Sequence, residues 1–359
     1  MLKCRARASA AARRGSSRVP RPPRRQANQI AIARAAGVSV STVSRALSNA
    51  PGISEARRSQ IRRLAQDAGY LGRSPGPAAA RTLLTYVTAS IATGGLAPFY
   101  EAIVAGLAAS AADAGLTLAV RLADESNFDL RRVERDNAEL QAIATLLVGI
   151  DPPAEIGAHY FERSEPLILV NGYDPLLRFD GIAPNNFFGG ALATQRLIAA
   201  GHRSLLYVED HIRWTTVQRR RGFLAAVEAV PDVRGHVLPI RPDREARLAA
   251  EIARRQRGEA DWTGIFTVND TLAIQVMGAL ETAGLRVPQD VSVVGFDDLP
   301  YAAMVNPPLS TMTVDCAMLG RQAIALLLRR LAEPGSVAVQ VDCAVRAKAG
   351  STIAELTQL

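Results

Sequence analysis

The chain has 359 residues, of which 48% are apolar, 21% charged and 5% aromatic, a composition expected of a globular protein and long enough for two or three domains. Three cysteines, Cys4, Cys316 and Cys343, stand far apart without pairing or metal-ligand spacing, which excludes a disulfide scaffold and fits a reducing cytosol. No apolar run approaches the roughly 20 residues needed to cross a bilayer, and no apolar segment follows the basic N-terminus as in a secretory signal. The expected location is therefore the cytoplasm, with no membrane partner.

Charge is unevenly divided. Residues 1–82 carry 17 Lys and Arg against Glu55 and Asp67, a net of +15, while the remaining 277 residues hold 25 basic and 32 acidic side chains, a net of −7. One end of the chain is thus suited to a polyanion. Residues 1–27 supply nine of those positive charges among Ala, Ser and Pro. Such a composition cannot bury a core, so this stretch is expected to be a disordered basic tail.

Next, Ile30, Ile32, Ala33 and Ala36 give a short amphipathic helix that stops at Gly37, a residue able to take the left-handed conformation beyond a helix end. Val38 can plug the angle that follows, and Ser39 suits the N-cap of a second helix. In that helix Val43, Ala46 and Leu47 recur at three- and four-residue spacing as a buried stripe. Val40, Ser41, Ser44 and Arg45 are left on another face with no core to join. Two short helices around a glycine turn match the helix-turn-helix, whose second helix enters the major groove. There Arg45 can bond bidentately to guanine, Val40 and Ser41 can meet base edges, and Thr42 and Ser44 can reach phosphates. A third helix follows, capped by Ser54, with Ile61, Leu64, Ala65 and Ala68 as its core face.

The stretch "IARAAGVSVSTVSRALSNAPGISEARRSQIRRLAQDAGY" resembles the DNA-binding headpiece of lactose-repressor-type (LacI/GalR) transcriptional regulators. The resemblance implies a DNA-binding domain over residues 28–72, with Val40, Ser41 and Arg45 reading an operator. It also implies a hinge over 73–83, because "PAAARTL" (Pro77 to Leu83) resembles the family's hinge helix. Leu83 would be the wedge that enters the minor groove and kinks the operator. The sequence departs from the family pattern at "NQIA" (Asn28 to Ala31), where a Thr-hydrophobic-Lys-Asp start is usual. It departs again at "LGRSPG" before the hinge, and in the near absence of a linker after Leu83.

From residue 84 short apolar runs alternate with helical stretches. "LLTYVTA", "LTLAVRLA", "ATLLVGI", "LILVN", "SLLYVE", "GHVLPI", "GIFTVN" and "VSVVGF" predict buried parallel strands, with helices near 98–114, 129–141, 186–200, 216–229, 244–257 and 270–284. This alternation predicts an α/β fold of right-handed βαβ units, two doubly wound lobes over 84–350 and a C-terminal tail at 351–359. The resemblance extends here through "APFYEAIVAGLAASAADAGL" (97–116), "FFGGALATQRLIAAGHRSL" (187–205), "RRRGF" (219–223), "VNDTLAIQVMGALETAGLRVPQDVSVVGFDD" (268–298) and "NPPLSTM" (306–312). It implies a core similar to periplasmic sugar-binding proteins, with two lobes that close on a ligand and carry the dimerisation surface.

Ligands of doubly wound sheets bind outside the carboxyl ends of the strands, where Asn171, Asn269, Asp270, Asp297 and Asp298 fall. By resemblance Arg219, Asn269 and Asp297 would bind effector hydroxyls, Asn171 stands where family members often have aspartate, and Phe99 and Tyr100 supply a wall beside Pro98. Such a set suits a sugar-like, polyhydroxylated effector. Asp270 is expected to cap its helix, Asp298 to cap a helix or bridge the lobes, His202 to mark a helix-to-strand turn, and Gly189-Gly190 to serve packing.

Enzymatic readings find no support. His159, His202, His211 and His236 have no ligand spacing with acids or thiols, so no metal is expected. No G-x-S-x-G, P-loop or G-x-G-x-x-G occurs and no cofactor is implied. The expectation is a ligand-responsive transcriptional regulator, a repressor acting as a homodimer on double-stranded operator DNA and controlled by a small sugar-like effector. A transporter's solute-binding protein and a sugar-directed α/β enzyme are the rivals. Export or failure to bind DNA would favour the first, and turnover of a bound ligand the second.

Overall fold

The structure, a computed structural model, describes residues 32–47, 53–67, 81–89, 97–124, 128–210 and 213–356. It divides into two compact units, residues 1–79 and 80–359. The basic tail, "NQIA" and most of the expected hinge lie outside the described residues.

In the first unit a helix at 32–36 (α1) meets Gly37, whose φ of 65° ends it. There the Val38 amide donates to the Ala33 carbonyl at 3.0 Å, the closure expected when an orphan carbonyl is satisfied past a left-handed residue. Ser39 caps the second helix, α2 (Val40–Leu47), accepting from the Thr42 amide at 3.1 Å. In α3 (Glu55–Asp67) the cap is Ser54, with the Arg57 amide 3.4 Å from its hydroxyl. A small core joins the three helices. Ile32, Ala33, Ala36, Val43, Ala46, Ile61 and Ala65 are buried, and Val38 packs against them as the plug expected of it.

The second unit contains two parallel sheets. The first comprises β1 (Arg81–Thr88), β2 (Leu116–Ala123), β3 (Ala144–Val148), β4 (Leu167–Val170), β5 (Asp180–Pro184) and, far along the chain, β11 (Gln340–Cys343), in the order β11-β5-β4-β3-β1-β2. The second holds β6 (Ser204–Glu209), β7 (Arg234–Pro239), β8 (Gly264–Thr267) and β9 (Ser292–Val294), in the order β7-β6-β8-β9. A short antiparallel pair, β10 (Thr311–Thr313) with β12 (Arg346–Lys348), completes the strands. Within the first sheet alternate residues serve opposite cores: Leu83, Val87, Leu146 and Val148 face one side, and Leu84, Tyr86 and Leu147 the other. Both outer faces are covered by helices, which is why the central strands are apolar throughout.

Among the described residues eight helices flank these sheets: α4 (Ala97–Asp113), α5 (Leu130–Leu140), α6 (Ala154–Glu162), α7 (Asn186–Ala199), α8 (Trp214–Glu228), α9 (Arg244–Gln256), α10 (Asp270–Thr282) and α11 (Cys316–Ala332). Asp129, Asn185, Asn269 and Asp315 cap α5, α7, α10 and α11 by accepting from backbone amides three residues on. Where α7 crosses α8, Gly190 and Gly222 face the opposing backbone, and a methyl group at Gly222 would overlap the Phe187 carbonyl. The expected packing role of Gly190 is therefore met, since two helices approach this closely only where no Cβ intervenes. The chain passes between lobes at three places, between β5 and α7, between β10 and α11, and between β11 and β12. Buried residues of both sheets belong to one continuous apolar core.

Several expectations are corrected. Leu83, expected as a DNA-inserting wedge, is fully buried in β1 between Leu118 and Ala144. Its run "RTLLTYVT" pairs on both sides as a central strand, and the hydrophobic interior claims the side chain. The hinge therefore cannot extend to residue 83. Residues 351–356 do not form a loose tail: Thr352 is fully buried, its hydroxyl donating to the Val293 carbonyl at 2.6 Å, and the Leu356 amide donates to the Ala200 carbonyl. β2 and β7 are edge strands and only half-buried. Asn269, not Asp270, caps α10.

His202 follows Gly201 at the turn between α7 and β6, as expected, but its ring has a structural task. It is fully buried, with Nδ1 2.8 Å from the Thr263 hydroxyl and Nε2 2.9 Å from that of Ser292. Burial holds its pKa below the usual value. The unfolded chain takes up a proton near pH 6.5 that the folded chain refuses, so the contribution of His202 to stability is full above about pH 7 and falls as pH drops through 6.5. The difference in urea-denaturation stability between wild type and His202→Gln should show this slope between pH 7.5 and 5.5, because the other titrating groups contribute equally to both. Leu83→Ala should cost about 2–5 kcal/mol of stability through the cavity it leaves, read as a shift in the urea midpoint. A wedge residue would instead change DNA affinity and leave the midpoint alone.

Candidate functional site

The DNA-facing candidate is the outer face of α2. Val43 and Ala46 are fully buried, while Val40, Ser41, Ser44 and Arg45 are exposed, Val40 to 38%. The 100° turn per residue alone separates these two sets. Thr42 differs from its neighbours: it is half-buried and its hydroxyl lies 2.8 Å from that of Ser39, so it reinforces the cap. Within the same unit Arg34, Arg57 and Arg63 are exposed and extend the positive surface.

The other candidate lies between the lobes, at the carboxyl ends of the strands. Arg219, in the middle of α8, is buried to 4% exposure with each guanidinium nitrogen engaged. Nε donates to Asn186 Oδ1 at 2.8 Å, Nη1 to the Val268 carbonyl at 2.6 Å and Nη2 to Asp297 Oδ1 at 3.0 Å. The group also lies 3.7 Å from the centre of the Phe296 ring, a cation–π contact strengthened by desolvation. Asp297 follows β9 with φ of 108° and donates its amide to the Met312 carbonyl at 2.9 Å. A non-glycine residue so placed stores strain, commonly at a functional position.

Asn269 lies next to Val268, but its Oδ1 already accepts from the Leu272 amide at 2.9 Å. Asp270 is fully buried; it accepts from the Leu299 amide at 2.8 Å and the Thr311 hydroxyl at 2.5 Å. Burial, then the charge of Asp297, push its pKa up to about 8. Asp298 accepts from Lys348 Nζ at 2.6 Å and from the Thr313 hydroxyl at 3.0 Å, fastening β9 to the β10–β12 pair.

On the first lobe Asn171 ends β4 with φ of 53° and is buried to 3% exposure, its Oδ1 without a hydrogen-bond partner among the described residues. Phe99 and Tyr100 are equally buried and meet edge to face at 5.2 Å. Tyr100 and Asn171 are brought together by a residue the sequence reading missed: Arg213, just before α8. It donates to the Tyr100 hydroxyl at 3.1 Å and to the Asn171 carbonyl at 3.0 Å, and lies 3.8 Å from Asp151. Asp151 also accepts from the amides of Tyr173 at 2.8 Å and Trp214 at 3.4 Å, and those two rings stack at 4.2 Å. Asp151, Tyr173, Arg213 and Trp214 thus clasp the lobes. The one sequence signal for them was position, since each follows or precedes a strand end or helix start.

Six expected residues therefore fall into two groups. Arg219 and Asp297 are bonded directly, with Asn269 beside them. Tyr100 and Asn171 meet through Arg213, and Phe99 supports Tyr100. A cleft of about 380 Å3 lies alongside, lined by Tyr173, Trp214, Gln218, Asn185 and Asp342 among others. Among the described residues no group of His, Cys, Asp and Glu could hold a metal ion, and no helix is long and apolar enough to cross a membrane.

Comparison with known proteins covers both regions of the chain. The model of bacterial regulatory proteins of the lacI family matches residues 31–72, and a periplasmic binding protein-like domain matches 194–353. A ribose operon repressor of Haemophilus influenzae is 29% identical over 339 residues, covering 88% of this chain and 96% of that one. The ribose operon repressor of Escherichia coli K12 is 30% identical, covering 84% and 92%. Among solved structures, a complex of the transcriptional regulator CelR with cellobiose has a TM-score of 0.67 at 23% identity, covering 92% of this chain and 100% of that one. With a headpiece match at one end, a binding-protein-like core at the other and relatives spanning both, the chain belongs to the LacI family of bacterial regulatory proteins.

Proposed function

We propose that this regulator is a repressor that binds an operator as a homodimer and releases or grips it according to a small hydroxylated effector held between its lobes. The observation that carries the DNA half is the division of α2 into a buried Val43–Ala46 stripe and an exposed Val40–Ser41–Ser44–Arg45 face. That face has the dimensions and chemistry of a major-groove reader, with Arg45 for a guanine edge, Val40 and Ser41 for neighbouring bases and Ser44 for a phosphate. Two copies are required because one headpiece of this size buries too little surface for tight specific binding. The relatives named as ribose operon repressors support the same reading.

For the effector half, the support is the convergence of Arg219, Asn269 and Asp297 on one side of the interlobe region and of Tyr100 and Asn171 on the other. A ligand that contacts both groups favours one lobe angle over another, and differential contact is what couples a ligand to DNA affinity. Coupling is reciprocal, so operator DNA should change effector affinity by the same factor that effector changes operator affinity.

Arg45→Ala should weaken binding to a selected palindrome by about 1–3 kcal/mol and relax preference at one base pair, measured by competition titration against single-base variants. A uniform loss across all sequences would make Arg45 a phosphate contact instead. Arg219→Ala removes the partner of a buried carboxylate and should destabilise the core by about 3–5 kcal/mol, read by urea denaturation. A loss below 1 kcal/mol would mean that Asp297 does not depend on this cation.

A further inference from the structure

The turn that carries Asp297 is strained twice over. Asp297 and Asp298 follow one another with φ of 108° and 55°, a pair of left-handed residues that only surrounding contacts can hold. A residue outside the effector set, Asp270 at the start of α10, supplies several of those contacts. Its amide donates to the Phe296 carbonyl at 2.8 Å, just before the turn, and its Oδ2 accepts from the Leu299 amide at 2.8 Å, just after it. Oδ1 lies 2.5 Å from the hydroxyl of Thr311 on β10, next to the Met312 carbonyl that receives the Asp297 amide. One residue thus grips both chains that frame Asp297.

The charge of that grip matters, because Asp270 is fully buried and among the described residues no cation bonds it. A methyl group at Gly295 would overlap its Oδ1, so backbone closes over the carboxyl on that side. The titratable groups beside it are Asp297 and Asp298 in the turn and Tyr301 beyond it, whose hydroxyl is 2.7 Å from that of Thr271. The cations that reach this turn already serve other carboxylates: Arg219 on α8 bonds Asp297 at 3.0 Å and Lys348 on β12 bonds Asp298 at 2.6 Å. Ionised, Asp270 sets a second buried negative charge against a guanidinium whose three nitrogens are each engaged. As the neutral acid it accepts from the Leu299 amide through one oxygen and shares its hydrogen with Thr311 through the other, so the grip survives without the charge. Burial, and after it the charge of Asp297, push its pKa in the same direction.

We propose that Asp270 is a positioning residue for the effector site: as a neutral acid it holds the Asp297–Leu299 turn with Asp297 aimed at Arg219, and loss of its proton loosens that turn. The proposal rests on the reading of Arg219 and Asp297 as effector-binding residues and adds to it a proton on which their alignment depends. Alkaline conditions therefore act on the site with no ligand present.

The test uses the full chain without ligand. The folded protein keeps a proton on Asp270 up to about pH 8, whereas the unfolded chain gives it up near the usual carboxylate value of about 3.9. The contribution of Asp270 to stability is therefore full below about pH 4 and falls as pH rises to about 8. In urea denaturation from pH 5.5 to 9, the folding equilibrium constant of wild type relative to Asp270→Asn should fall about tenfold per pH unit up to about pH 8 and then level off. With Asp297→Asn introduced into both proteins, the levelling point should move to lower pH. Hydrogen exchange of the peptide spanning residues 297–299, read against Asp270→Asn at each pH to cancel the intrinsic rate, should quicken by roughly threefold or more in wild type between pH 6.5 and 9. A side chain that only fills space moves neither profile. The proposal is overturned if the stability ratio is flat from pH 5.5 to 9, or if exchange at the turn stays equal in the two proteins at every pH. If Asp270→Asn does not fold, wild type alone decides through the infrared band of a protonated carboxyl, which should persist at pH 7 and vanish above about pH 8; its absence at pH 7 overturns the proposal. Titrations of D-ribose and D-xylose in the presence of a palindromic duplex judge the wider effector reading separately, since they can fail while both proton profiles hold.

Discussion

A guanidinium buried at Arg219 is the constraint on which the interlobe region depends. Removing such a group from water costs several kcal/mol, and the cost is met only when every donor finds a well-placed acceptor. Here the acceptors come from three separate parts of the chain: Asn186 at the first crossing, Val268 at the end of β8, and Asp297 after β9. Each must arrive in register for the others to be satisfied. The close crossing of α7 and α8 through Gly190 and Gly222 brings Arg219 within reach of Asn186, and the strained backbone at Asp297 aims its carboxylate. A glycine contact, a strand end and a left-handed turn thus serve one ion.

That fixed centre contrasts with the contacts nearer the first lobe. Arg213 is held by a phenol, a carbonyl and a carboxylate 3.8 Å away, and Asp151 is about one-third exposed. Interactions of this kind are weaker and more easily exchanged for water or ligand than the Arg219 network. On the proposed function, the second lobe carries the rigid half of the effector site and the clasp across the lobes is the half able to open. A regulator needs both: without rigidity the ligand's contacts are dispersed, and without an exchangeable clasp there is no second state to select.

Much of this architecture was legible in the sequence because its signals are local. Every predicted strand and helix from residue 84 onward exists, and the Gly37 turn, the Ser39 cap and the Val43–Ala46 stripe all follow from spacing over a few residues. Two helices with local spacing, α6 and α11, were not read from it, and the rest of what escaped is non-local. β5 ("DGIAP") and β11 ("QVDC") lack an apolar run and exist because they pair with each other and because Asp180 accepts from Arg329, Arg330 and the Val339 amide. Leu83 shows the same limit in reverse. The Ala/Pro run before it resembles a hinge, but the side chain's environment is decided by Leu118 and Ala144, 35 and 61 positions away. Arg219 and Asp297 were found by resemblance. Asp151, Arg213 and Trp214 were not, since nothing in their flanking residues says that they converge.

The two units also differ in how firmly each can hold its own shape. The core domain draws on Trp262, Tyr207, Phe223, Phe266 and Phe296, all essentially buried, whereas among the described residues of the headpiece four of the seven buried core side chains are alanines. Burial stabilises roughly in proportion to apolar area, so these small side chains contribute little each, and the domain is small. Its affinity for DNA then depends less on its own rigidity than on how it is presented. In the proposed dimer, two weak readers act as one because the second binds at the effective concentration set by the first. A lobe movement that alters their spacing changes that concentration without touching a base contact, which is how a cleft in a negatively charged core can govern a positively charged reader.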